Sequence, residues 1–332
     1  LLFIPSIGEF FIPEFSIGNY NMTGYAMPSI LNMDYVGSNW NSQKELAMIF
    51  AGSQEALPKP VQYRGFIEQL STNNDTENIK AKKFFNTQLA GFTQPSIPYP
   101  TKLQRRVDEN DKTLNRAVIE ERDIWLPKQL SHDIREQAKQ LKLNPATLFH
   151  SAFAMVIGAC SNKEDVVFGT VMSGRLQANA SAASVEHMMG MFINTLPIRV
   201  NLAEVGAYDF VKQTQQVLNA LIPFEQTPLS EIQQCSELNA ESQLFTALLN
   251  YRHTAKKITD DANHLAGLKF IDPKERTNYP FAISVDDFGD DFLINIQIEQ
   301  TVDSSSVDRV ASYMQTALRQ LLRALSVTAS SD

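Results

Sequence analysis

Residues 144–175, NPATLFHSAFAMVIGACSNKEDVVFGTVMSGR, limit the folds open to this chain more than any other stretch. Asn144 and Pro145 are residue types that open helices, at the N-cap and the first helical position. The helix they begin is apolar on nearly every side, so it has no face to give to water. The segment that follows, DVVFGTVMSGR (165–175), is apolar for most of its length and reads as a strand covered on both faces. A buried helix next to a buried strand requires layers of structure around both, which points to an α/β sandwich.

The rest of the chain supplies those layers. SQKELAMIFAG (42–52) has a capping residue in Ser42, Glu45 three further on and a terminating Gly52, and predicts a helix. LPKPVQYRGFIEQL (57–70) is a proline-interrupted connector entering a helix, and TENIKAKKFFNTQLAGF (76–92) is a further helix. A loop with Pro95, Pro98 and Pro100 leads to the charged stretch RRVDENDK (105–112), which marks a subdomain boundary or exposed crossover. We therefore divide the chain into units 1–104 and 105–332. In the second unit RAVIEERDIWLP alternates like a strand and LPKQLSHDIREQAKQLKL is an amphipathic helix. TLPIRVNL, LFTALLNYRH, NYPFAISVDD and DFLINIQIEQ read as strands, with helices over 207–221 and 304–326. Residues 1–40 show no sustained period, and no internal repeat occurs.

An arginine at the end of a buried strand needs either solvent or a carboxylate partner, because an unpaired buried charge costs several kcal/mol or more. Arg175 accordingly reads first as half of a structural ion pair. Gly174 before it suits a close turn, and Ser173 has no base near it in sequence. The histidines, His132, His150, His187, His253 and His264, include no adjacent pair and no helical metal spacing. His132 reads as exposed and His150 as a satisfied core residue. His253 ends LLNYRH where a strand meets a loop, and is a candidate site residue. Cys160 and Cys235 form no metal-type spacing and read as reduced thiols.

Composition narrows the function classes. The 332 residues are 43% hydrophobic and 20% charged, as in an ordinary soluble protein, and the net charge of −8 offers nothing to a phosphate backbone. No apolar run approaches a membrane span. The opening LLFIPSIGEFFIPEF lacks the basic start and cleavage site of a signal peptide, so a cytoplasmic protein is expected, bound neither to nucleic acid nor to membrane. No phosphate-binding glycine loop and no metal cluster is present in the sequence.

DVVFGTVMSGR at 165–175, MMGMFINTLPIRV at 188–200, PFEQTPLSEIQ at 223–233, LFTALLNYRH at 244–253 and NYPFAISVDD at 278–287 occur in that order. Together they resemble the downstream motifs of condensation domains of nonribosomal peptide synthetases. With LPKPVQYRGF and the final helix VDRVASYMQTALRQLLRAL, the resemblance covers roughly 42–327. It implies a chloramphenicol acetyltransferase-like fold, two α/β two-layer sandwich lobes forming a V around a tunnel. It also implies amide formation between donor and acceptor thioesters on phosphopantetheine arms of carrier proteins, with neighbouring synthetase domains as further partners and no bound cofactor. Within it, Arg175 is expected to pair with the structural aspartate of the HHxxxDG signature, while Ser173, Gly174, Asn250, His253 and Ser284 are similar to tunnel positions.

The sequence departs from that family at the signature itself. Counting back from ELAMIFAGSQEALPKP places HHxxxDG near residues 29–36, where the chain reads SILNMDYV. Asp34 stands for the structural aspartate, and neither histidine is present, so no catalytic residue is assigned. The first lobe is reduced to residues 1–104, and three readings stay open. The chain, which starts at Leu1, is an incomplete or processed form; or it is a catalytically inactive docking or scaffold module; or it catalyses with other residues or with a histidine from another chain. A missing lobe would bare an apolar face, so self-association is expected.

Overall fold

The computed structural model describes residues 63–98 (73 excepted), 119–175, 190–203, 206–239, 242–253, 279–299 and 306–328, with isolated positions at 16–17, 20–21, 48, 52–56 and 277. The helix expected at 42–52 lies almost wholly outside the described residues, as does the charged crossover at 105–112.

After a short antiparallel pair, Ser16–Ile17 with Tyr20–Asn21, and a 3-10 turn at Gln54–Ala56 come two helices, α1 (Tyr63–Thr72) and α2 (Asn74–Gln88). Then follow strand β1 (Ile119–Trp125), helices α3 (Lys128–Leu141) and α4 (Pro145–Ser161), and strands β2 (Asp165–Met172) and β3 (Asn194–Asn201). Helix α5 (Ala207–Leu221) runs into a 3-10 turn at Ile222–Phe224 and the short α6 (Leu229–Gln233). Strands β4 (Ala247–His253), β5 (Phe281–Asp287) and β6 (Phe292–Glu299) precede the last helix, α7 (Ser306–Thr328).

The caps of α4 are those its sequence predicts. Asn144 Oδ1 accepts from Ala146 N–H at 2.9 Å, Pro145 takes the first turn, and Asn162 in the left-handed region closes the other end. Its flanks are buried because it lies between the sheet and α7. Phe153 meets Phe168 and Phe281 at 5.0 and 5.3 Å, and Phe149 meets Phe292 at 4.9 Å. Each such phenylalanine contributes roughly 2–3 kcal/mol through burial. Helix α7 covers the assembly with one stripe: Val307, Val310, Met314, Leu318, Leu321 and Leu325 are all buried.

Six strands form one mixed sheet in the order β1-β6-β5-β4-β2-β3. The pairs β5–β4 and β4–β2 are parallel and the outer pairs antiparallel. β4 lies beside β2 and parallel to it because the chain turns back in β3 and then passes through α5 and α6 before re-entering the sheet. Helix α4 packs on the face carrying Phe168, Thr170 and Ile283. By alternation the opposite face carries Gly169, Leu248, Asn250, Arg252, Ser284, Asp286 and Asn295.

The end of α2 is bound to the sheet. Arg199 of β3 donates twice to Asp165, at 2.9 and 2.7 Å, and also to the carbonyls of Gln88 and Ala90 at the end of α2. Its guanidinium thus fills carbonyls that a helix terminus leaves unpaired.

Candidate functional site

Strand β2 ends at Met172, and the next three residues turn sharply. Gly174 has φ +69°, and a Cβ there would stand 1.7 Å from the carbonyl oxygen of Phe192, so no other residue fits. Its N–H donates to Glu225 Oε2 at 3.1 Å, and its carbonyl accepts from Gln226 Nε2 at 2.7 Å. The same Gln226 nitrogen also donates to the Phe192 carbonyl, at 3.1 Å. Asn194 Nδ2 holds the opposing segment through the carbonyls of Glu225 and Thr227, at 3.0 and 2.8 Å. Three stretches far apart in the chain, around Gly174, around Phe192 and Asn194, and at 225–227, therefore close on one turn.

Arg175 is half-buried, with its guanidinium carbon 4.2 Å above the ring of Phe192. Such a contact is worth about 0.5–2 kcal/mol, depending on how far it is desolvated. The Phe192 ring is held in turn by Tyr63 and Phe66 of α1, at 5.1 and 4.6 Å. Tyr63 donates its hydroxyl to the Met191 carbonyl. Burial raises its phenol pKa, against the lowering effects of that bond and of the Arg175 charge. Asp34, the aspartate expected to pair with Arg175, lies outside the described residues.

Because β2 and β4 are parallel neighbours with Thr170 opposite Leu249, the turn lies at the sheet end toward which β4 and β5 also run. Asn250 and Ser284 stand opposite each other on β4 and β5, both half-buried, and Ser284 is also opposite Asn295 of β6. They form a polar row on the face opposite α4. Asn295 Nδ2 extends it by donating to Glu121 and Asp123 of β1, at 2.9 and 2.7 Å. One step closer to the strand ends, Arg252 donates to both oxygens of Asp286.

His253 belongs to another group. It lies on the helix side of β4, with Nδ1 3.4 Å from Asp287 Oδ2. That carboxylate also accepts from Arg135, from Tyr251 at 2.6 Å and from Gly289 N–H at 2.9 Å. Burial pushes the Asp287 carboxyl up, but the bonds from His253, Arg135, Tyr251 and Gly289 together hold it well below the usual range. The His253 imidazole is raised chiefly by its bond to Asp287. His150 is buried between Ala146 O at 2.7 Å and Thr170 Oγ1 at 2.8 Å. Burial lowers its imidazole to about 4, so it stays neutral. His132 is exposed on α3, and His187 and His264 lie outside the described residues.

Ser173 is exposed, and its hydroxyl has a long 3.5 Å contact with Arg175 N–H. Among the described residues no group of histidine, cysteine and carboxylate side chains could hold a metal ion, and no single helix is long and apolar enough to cross a membrane. Charge, orientation and hydrogen bonding are what this arrangement offers a substrate. Sequence reasoning missed Glu225, Gln226 and Tyr63. The signal was a glutamate and a glutamine directly after Pro-Phe in 223–226, where a loop glutamate reads as solvated.

The sequence profile of the condensation domain matches residues 43–331. The chain is 36% identical to the malpibaldin synthetase of Mortierella alpina over 285 residues, 86% of this chain and 5% of that protein. It is 27% identical to bacitracin synthase 3 of Bacillus licheniformis over 281 residues, 81% of this chain and 4% of that one. The chain thus spans about a twentieth of the length of these relatives. Among solved structures, a four-domain nonribosomal peptide synthetase bound to AMP and glycine superposes with a TM-score of 0.65 at 14% identity, over 85% of this chain and 22% of that one. The condensation domain of a monacolin K polyketide synthase gives 0.60 at 16% identity, over 85% and 66%. At these identities the superpositions speak to the fold, which is the expected chloramphenicol acetyltransferase-like one.

Proposed function

The chain belongs to the condensation-domain family, and from that membership we propose that it serves a nonribosomal peptide synthetase in forming an amide bond between carrier-bound substrates. An aminoacyl acceptor on one phosphopantetheine arm attacks the acyl or peptidyl thioester on another, the C–S bond breaks, and the thiol leaves with a proton. The partners in this reading are carrier-protein domains and neighbouring synthetase domains, and the setting is the cytoplasm.

The observation that carries it is the junction turn. Gly174 and Arg175 are held by Glu225, Gln226 and Phe192 at the sheet end toward which Asn250 and Ser284 lead. A turn braced on three sides is suited to holding a cation in one place. Arg175 orients, and the amine proton passes to a group other than an adjacent histidine pair, which residues 1–332 do not contain. In this reading residues 1–104 are a reduced first lobe, with Asp34 the aspartate facing Arg175, and the sheet face opposite α4 packs against a second polypeptide or a second copy.

That absent histidine pair also favours a second reading, a docking module that binds carriers without catalysis. One experiment separates the two. Carrier proteins loaded with simple aminoacyl groups are incubated with the chain, and products are read by intact-protein mass spectrometry, with Arg175→Ala alongside. Dipeptidyl carrier above background, lost in the variant while its circular dichroism is unchanged, is the expected result. No product with carrier binding retained establishes the docking module instead.

A further inference from the structure

We propose that Glu225 is a positioning residue, which fixes the turn at Gly174 and thereby aims Arg175. The proposal rests on the amide-forming reading only for its effect on turnover.

Glu225 is fully buried although it follows a surface 3-10 turn. A carboxyl in that position is costly unless it is hydrogen-bonded, and its Oε2 accepts from Gly174 N–H at 3.1 Å. The main chain of Glu225 is pinned as well, because its carbonyl accepts from Asn194 Nδ2 and its N–H donates to the Ile222 carbonyl at 3.2 Å. With backbone and side chain both fixed, the carboxyl is a rigid post. Gly174 N–H lies beyond the β2 ladder, in a left-handed turn that no strand neighbour can satisfy. Remove the acceptor and a buried donor is left without it, in a turn that Gln226 also holds.

Geometry links the post to the arginine by two routes. Through the chain, Gly174 is the residue before Arg175, so the turn sets where the side chain starts. Through space, Gln226 Nε2 holds the Phe192 carbonyl, and the Phe192 ring lies beneath the guanidinium. Both ends of the Arg175 side chain are therefore referred to residues 225–226. Neither residue has to touch the substrate for this to matter, because a small rotation at the turn is magnified along the length of an arginine.

The test reads order and turnover separately, in the full chain, with Glu225→Ala, Glu225→Gln and Gln226→Ala. Hydrogen exchange is followed in a peptide spanning Gly174, and amide formation is followed with loaded carriers. In Glu225→Ala the Gly174 amide should exchange at least about tenfold faster, as expected for one lost hydrogen bond. In the same variant kcat should fall on the order of a hundredfold while KM for the carriers stays within about twofold, since what is lost is orientation. Glu225→Gln, which keeps an acceptor oxygen, should restore part of both. If Glu225→Ala does not fold, Glu225→Gln and Gln226→Ala give the same comparison on a milder scale. Unchanged exchange in every variant overturns the proposal, and so does lost protection with undiminished kcat, which would leave Glu225 a purely structural residue. Should the wild-type chain make no amide at all, the reading of its function fails, and the exchange data still decide whether Glu225 fixes the turn.

Discussion

Arg252 and Asp286 face each other across two parallel strands and share two hydrogen bonds, of 2.8 and 2.7 Å, with the residues only 6% and 5% exposed. Asp286→Leu should destabilise the fold by about 3–5 kcal/mol, because it takes both carboxylate bonds from a buried guanidinium. Replacing both, as Arg252→Met with Asp286→Leu, should cost much less. Urea unfolding of the two single variants and the double variant closes the cycle; additive losses would show that the pair is not coupled.

Gly174 and Gly289 both have positive φ, +69° and +88°, but their surroundings differ. A Cβ at Gly289 meets nothing within 4 Å, whereas one at Gly174 collides with the Phe192 carbonyl. Gly289→Ala should therefore cost only the backbone term, about 1–2 kcal/mol. Gly174→Ala should exceed about 3 kcal/mol and abolish any activity that depends on Arg175. Equal losses in thermal or urea unfolding would mean that the turn yields more easily than its contacts indicate.

His150 makes stability fall on acidification. Burial lowers its imidazole from 6.5 to about 4, so between those values the unfolded chain takes up a proton that the folded chain refuses. Stability should therefore decline as pH drops through that window, by about 3 kcal/mol at its lower end. His150→Gln should flatten this slope, whatever it does to the absolute value. A wild-type unfolding midpoint constant from pH 6.5 to 4.5 would contradict the buried neutral assignment.

His253 acts in the opposite sense. Its pKa is raised by Asp287, so its contribution is complete below 6.5 and is lost as pH rises through the folded value. The side chain is 61% exposed, which keeps the effect under about 1 kcal/mol. The sharper readout is its own titration by NMR. In Asp287→Asn the His253 resonance should titrate at lower pH than in the wild type, and an unmoved midpoint would remove Asp287 as the cause.

Much of the fold is legible in the chain, and for local reasons. The apolar girth of 144–161, with Asn144 and Pro145 at its head, dictates a buried helix wherever it is placed. The run at 165–172 dictates a covered strand, and the stripe of α7 repeats at helical spacing. Boundaries shift by a residue or two, as at α2, which begins at Asn74 where the sequence suggests 76, because helix ends depend on what they pack against. Ser173, Gly174 and Arg175 could be singled out because an arginine after an apolar strand is a local anomaly. Asn250 and Ser284 could be named only by resemblance to a family.

Register and long-range closure are what the sequence alone could not supply. Asn250 meets Ser284, and Arg252 meets Asp286, only because β4 and β5 pair in parallel at one offset; a slip of one residue would send each side chain to the other face. Nothing local singles out Glu225 until the chain folds back and sets its carboxyl under Gly174, 51 residues away. Arg175 reads as half of an ion pair, and the described structure adds the face of Phe192 beneath its guanidinium. Periodicity, caps and burial act over a few residues and are written into the chain directly. A hydrogen bond between distant segments exists only after the hydrophobic layers have closed, so only the tertiary structure decides which polar groups meet.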